Sequence, residues 1–193
     1  MGKGRLEAFS DGVIAIIITI MVLDMKAPPS AELTALWPVF PAFLSYVLSF
    51  IYVGIYWSNH HHLFQAAQRV SGMTLWANLH LLFWLSLIPF VTRWMGDSHF
   101  ATWPVVAYGG VLGMCAAAWD IERRVLMRIH EPDSALVRAM GGNLKEWVSF
   151  ALYALAIAAA FVNTWVGCAL YIIVAIIWFI PDRRIERELK LRS

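Results

Sequence analysis

Arg5-Leu6-Glu7-Ala8-Phe9-Ser10-Asp11-Gly12-Val13-Ile14-Ala15-Ile16-Ile17-Ile18-Thr19-Ile20-Met21-Val22-Leu23 decides how the rest of the chain is read. From Val13 to Leu23 only Thr19 carries a polar side chain, and Pro28-Pro29 lie just beyond, where a helix must stop. At about 1.5 Å per residue, a run from Leu6 to Leu23 is long enough to cross a hydrocarbon core of about 30 Å. Lys3 and Arg5 before an apolar stretch imitate a secretory signal, but Glu7 and Asp11 interrupt it. No convincing small-x-small cleavage site follows Lys26, so the segment is expected to stay in the mature protein.

The composition extends that reading to the whole chain. Of 193 residues, 60% are hydrophobic and 15% charged, and the mean hydropathy is +0.64. A soluble domain carries about 25% Asp, Glu, Lys and Arg, so this chain is short of solvating surface. Many of its 10 Trp, 11 Phe and 6 Tyr lie near the ends of apolar runs, where interfacial belts form. A net charge of +2 gives no basis for nucleic-acid binding. Cys115 and Cys168 lie inside apolar runs as small buried hydrophobes, without disulfide or metal spacing.

About six stretches are apolar enough to span. After the first come Trp37 to Asn59, Thr74 to Trp94, Thr102 to Ile121, Trp147 to Val162 and Trp165 to Ile180. Asn163-Thr164 joins the last two as a tight helical hairpin. This layout puts both termini on one side with the 60–72 and 122–146 connections. That side holds Lys3, Arg5, Arg69, Arg123, Arg124, Arg128, Arg138, Lys145, Arg183, Arg184, Arg187, Lys190 and Arg192; the other holds Lys26 and Arg93. Basic loops face the cytoplasm, so both termini are expected there, with the chain multi-pass in the cell (inner) membrane. Residues 122–146, with Pro132 and Gly141-Gly142, read as a cytoplasmic loop with short helical pieces; residues 182–193 read as a solvated tail. No internal repeat is visible, so residues 1–193 are expected to form a single all-α membrane domain.

An Asp at membrane depth costs about 2.5–3.5 kcal/mol, so Asp11 needs a polar partner or water. On a helical wheel Ile16, Thr19, Ile20 and Leu23 fall within about 100° of arc, continued by Gly12, Phe9 and Arg5. Asp11, Ile18 and Val22 lie on the far side, so Asp11 is expected to face other helices of its own subunit. Periodicity alone favours helix packing or lipid contact for such a stripe.

Arg5-x-x-x-Phe9-Ser10-Asp11, followed by Ala15-Ile16 and Thr19, resembles the signature of the lysosomal and endosomal potassium channels called transmembrane protein 175, the bacterial single-repeat members above all. Trp57-x-x-His60, Asn78 and Pro89-Phe90 are similar as well. The resemblance implies a homotetramer of six-span subunits, with the first helix of each lining a central pore. By position it implies that Ile16, Ile20 and Leu23 are the apolar layers of a hydrophobic gate, with Thr19 a hydroxyl near the constriction. It implies that Arg5, Ser10 and Asp11 tie the first helix to its neighbours, and Phe9, Trp57, His60, Asn78 and His80 are placed in the same network. Ile20, where Leu is frequent, and the triple His60-His61-His62 depart from the pattern.

The expected function is therefore a potassium-permeable cation channel whose partners are further copies of itself, potassium and the lipid bilayer. No cofactor is expected beyond potassium as the permeant ion. No Thr-Val-Gly-Tyr-Gly filter exists, and Gly109-Gly110-x-x-Gly113 suits close helix packing. Apolar walls gate by dewetting and cannot replace a hydration shell, so preference for potassium over sodium should be modest. Adjacent histidines on a helix diverge by about 100° and cannot share one metal, so no metal site is expected. His60 is expected to hydrogen-bond Asp11 or Ser10, and its titration near neutral pH would make opening pH-sensitive. The alternative is a proton-coupled secondary transporter with Asp11 and His80 as relay. No Gly-x-Ser-x-Gly, His-Glu-x-x-His or paired intramembrane carboxylates appear, which argues against an enzyme.

Overall fold

The computed structural model describes residues 2–140, 142 and 144–179, and all regular structure among these is helical. The tail at 182–193, with its five basic residues, and the end of the last run at Ile180 lie outside the described residues. Helix α1 spans Lys3–Leu23, and a short 3-10 helix, Leu33–Val39, leads into α2, Phe40–Ala66. Then come α3 (Gly72–Ser86), α4 (Ile88–Asp97), α5 (Thr102–Arg128), the short α6 (Ala135–Met140), α7 (Leu144–Ala160) and α8 (Thr164–Phe179).

Among the described residues, four segments are long and apolar enough to cross a membrane: Lys3–Leu23, Leu33–Ala66, Gly72–Asp97 and Thr102–Arg128. The apolar α8 is shorter, at 16 residues. The run expected from Thr74 to Trp94 is one membrane segment broken at Leu87. Pro89 has no N–H to donate and its ring crowds the preceding turn, so regular pairing lapses there. The Leu87 N–H donates to the Trp84 carbonyl at 3.2 Å, a tightened turn, before α4 resumes. The stretch expected to leave the membrane at Ile121 continues as helix to Arg128, so Glu122 and Arg123 belong to α5 and not to a loop.

Lipid tails offer no hydrogen-bond partners, so polar side chains inside such a bundle bond one another or a carbonyl. Ser49 of α2 pairs with Thr92 of α4 at 2.6 Å and with the Tyr108 hydroxyl of α5 at 3.0 Å. The Tyr52 hydroxyl donates to the Tyr171 carbonyl at 2.6 Å, and the Tyr171 hydroxyl to the Val105 carbonyl at 3.1 Å, tying α2, α5 and α8. Close approach depends on small residues. A Cβ on Gly96 would lie 2.7 Å from both Ala42 Cα and Ser45 Oγ, and one on Gly109 would overlap the Tyr171 hydroxyl.

The connections sort to two ends. At one end Lys3 Nζ donates to the Ala67 carbonyl at 2.9 Å, and Arg69 Nε to the Ile129 carbonyl at 2.7 Å. Arg123 is buried at that end against Asp120 at 2.6 Å, Glu146 at 3.4 Å and the Met140 carbonyl. The first residues of α1 thus meet the α2–α3 turn, and that turn meets the segment after α5. At the other end Arg93 pairs with Asp24 at 3.2 Å and Asp97 at 3.6 Å.

Candidate functional site

Helix α1 buries one face only. Leu6, Ser10, Ile14, Ile17 and Met21 recur at three- and four-residue steps and are at most 3% exposed, packed against α2, α3 and α4. The stripe picked out by periodicity lies elsewhere on the wheel. Ile16 is 58% exposed, Ile20 43% and Leu23 81%, with Phe9, Gly12 and Thr19 exposed on the same side. A helix apolar all round is stable only when covered all round, so lipid or another protein surface must lie over this stripe. The Thr19 hydroxyl donates to the Ile16 carbonyl at 2.9 Å, which leaves its oxygen lone pairs outward.

The buried face is pinned by polar contacts. Ser10 Oγ donates to the Leu6 carbonyl at 2.9 Å and lies 3.1 Å from Asn78 Oδ1 of α3. His60 Nε2 of α2 meets the same Asn78 oxygen at 2.9 Å; that oxygen can only accept, so the imidazole N–H is the donor. Ser10, Asn78 and His60 are all at most 1% exposed. Nearby, the Trp57 indole N–H of α2 donates to Asp11 Oδ1 at 3.0 Å. Asp11 is itself exposed, yet its carboxylate is held by its own subunit.

Ser10, Asp11, Trp57, His60 and Asn78 are therefore brought together. His60 reaches Ser10 through Asn78 and does not bond Ser10 or Asp11 directly, because Asn78 stands between α1 and α2. His80 does not join them: its Nε2 accepts from the Trp84 indole one turn along α3, at 3.0 Å. The relay that would pair Asp11 with His80 is accordingly not formed. Arg5 and Phe9 lie on the exposed side of α1, away from the anchoring face. The three histidines diverge as their spacing requires. His60 is buried, His61 is exposed with its ring 6.2 Å from that of Trp57, and His62 is half-buried.

Two contributors escaped the sequence reading. Lys3 anchors the start of α1 on the Ala67 carbonyl, a backbone partner that no motif announces. Glu122 is fully buried in α5, with its Oε1 3.9 Å from His60 Nε2. Its charged neighbours, Arg123 and Arg124, make the segment look solvated in the sequence.

Several long apolar helices joined by buried inter-helix hydrogen bonds define a helical membrane protein. The family model for the endosomal/lysosomal potassium channel TMEM175 matches residues 5–89, from Arg5 through Pro89. A potassium channel of Chryseobacterium sp. (strain P1-3) is 54% identical over 190 residues, covering 98% of this chain and 99% of that protein. A potassium channel of Streptomyces collinus is 32% identical, covering 83% and 84%. The crystal structure of a lysosomal potassium-selective channel TMEM175 homolog from Chamaesiphon minutus superposes with a TM-score of 0.78 at 25% identity, covering 92% of this chain and 96% of that one. The chain belongs to the TMEM175 family, whose described members are channels and not enzymes.

Proposed function

We propose that this protein is a potassium-permeable cation channel in which four copies surround a central pore lined by α1. The observation that carries the reading is the division of α1 into two faces. Ser10, through Asn78 and His60, holds one face to its own subunit, while Ile16, Ile20 and Leu23 project uncovered. Family membership adds that similar chains are potassium channels over their full length.

In this reading α7 and α8 complete a six-span subunit. Their 17 and 16 residues give about 25 Å each at 1.5 Å per residue, close to the hydrocarbon thickness. The end carrying Lys3, Arg69 and Arg123 faces the cytoplasm, and the Asp24–Arg93–Asp97 end faces out. Rings of Ile16, Ile20 and Leu23 close the pore by dewetting and open it when the helices separate. Thr19 supplies oxygen lone pairs to partly dehydrated ions, since its proton is committed to the Ile16 carbonyl. Hydroxyls alone replace little of a hydration shell, so selectivity for potassium over sodium is modest. Potassium is the permeant ion here and not a cofactor.

Reconstitution in planar bilayers under a potassium/sodium gradient tests the reading, with Ile16→Asn measured alongside. Reversal shifted toward the potassium potential, with conductance or selectivity altered by Ile16→Asn, is expected. Folded protein that passes no current at any voltage overturns it.

A further inference from the structure

Among the described residues, Glu122 is the one fully buried carboxylate near the α1 anchor, and neither of its oxygens has a hydrogen-bond partner there. An ionised carboxylate so placed would be desolvated without compensation, which proteins avoid by pairing it or neutralising it. The facing groups are few. From α2 comes His60, 3.9 Å away; around that imidazole, in turn, lie Asn78 of α3, which bonds it and also meets Ser10 of α1, and the ionisable Asp11 of α1 and His61 of α2. Arg123, the next residue on α5, is held by Asp120, by Glu146 of α7 and by the Met140 carbonyl of α6. His60 Nε2 lies 2.9 Å from Asn78 Oδ1, at hydrogen-bond distance, and 3.9 Å from Glu122, beyond it. An ionised carboxylate is a stronger acceptor than an amide oxygen. Nε2 nevertheless stands at hydrogen-bond distance from Asn78 and not from Glu122, the arrangement a neutral Glu122 leaves in place.

We infer that Glu122 is a positioning residue for α1: its carboxyl is neutral while His60 bonds Asn78, and losing its proton draws His60 off Asn78. When the carboxyl proton passes to water, the carboxylate left behind attracts the Nε2 hydrogen of His60. Asn78 then loses the imidazole donor that fixes its side chain, and the Ser10 contact to Asn78 loses its fixed partner, while Ser10 keeps the Leu6 carbonyl. Nothing is consumed, and the proton returns when the pH falls. The protonation of Glu122 stands independently, whereas its effect on current rests on the channel reading above. Under that reading, loosening the anchored face of α1 favours separation of the pore helices, so current rises as cytosolic pH rises.

Infrared spectroscopy of the purified full-length protein in liposomes reads the proton directly. At neutral pH the wild type should show the carbonyl stretch of a protonated carboxyl group. Raising the pH should remove this band, Glu122→Gln should abolish it and Glu122→Asp should only move it. No such band in the wild type, or the same band in Glu122→Gln, overturns the proposal, and the first of these needs no variant to fold. In bilayers, wild-type current should rise by about threefold or more when the cytosolic pH is raised from about 6 to about 9, a range that brackets neutrality. Glu122→Gln, which mimics the neutral acid, should stay at the low-pH level throughout. A Glu122→Gln profile that matches the wild type overturns the coupling. Folded wild type that gives no current counts against the channel reading, and the infrared result then decides the proton.

Discussion

Asn78 carries more of the anchor than any charged residue does, because its Oδ1 is the meeting point of Ser10 from α1 and His60 from α2. Asn78→Leu keeps the bulk and removes the acceptor. Ser10 retains the Leu6 carbonyl, but the buried imidazole N–H loses its partner, a cost of about 1–3 kcal/mol. Thermal unfolding in detergent should therefore show a clear loss of stability for Asn78→Leu. Ile16→Ser should do the opposite: Ile16 touches little of its own subunit, so the unfolding temperature of the isolated subunit should hardly move while conductance in bilayers changes. A third substitution separates the channel from a proton-coupled transporter. Among the described residues His80 is tied to Trp84 on its own helix, so His80→Phe should leave reversal potential and current as they are. Abolished transport in that variant would restore the relay reading.

At the scale of elements, the bundle is held by small residues at crossings as much as by apolar mass. Gly109 of α5 lies directly under the Tyr171 hydroxyl of α8, which donates to the Val105 carbonyl. Gly109→Ala must push the ring away and break that bond, an overpacking cost of about 1–3 kcal/mol, so the variant should unfold at lower temperature than the wild type. The Gly-Gly-x-x-Gly spacing gave that function of Gly109 away in the sequence, since only close packing explains it without filter residues. The polar motif of α1 was legible for a similar reason: a Ser-Asp pair entering an apolar run needs partners. Which partners was not legible. Spacing alone places His60 near Asp11 or Ser10, and only the packing of α3 inserts Asn78 between them. Pro89 was visible, yet its effect, a break at Leu87 inside one membrane segment, depends on where the regular turns end. Glu122 is hidden in the sequence because Glu-Arg-Arg after an apolar run reads as solvated surface, whereas burial here is set by packing of α5 against α3 and α7.

For the whole molecule the decisive quantity is what covers the outer face of α1. Scattered exposed apolar residues are what any membrane protein offers to lipid, and Val162, 91% exposed at the α7–α8 hairpin, is of that kind. Leu23, 81% exposed at the C-terminal end of α1, belongs to a row with Ile16 and Ile20. If four α1 helices converge, the residues at position 23 of neighbouring subunits approach one another, whereas those at position 162 lie on the periphery. Leu23→Cys should then form inter-subunit disulfides on mild oxidation in membranes, read as a dimer band on non-reducing gels, and Val162→Cys should not. The native Cys115 and Cys168 are buried and do not compete. Cross-linking at 162 without cross-linking at 23 would place the interface on the hairpin and leave α1 to the lipid, removing the pore from the position that its two-faced burial pattern supports.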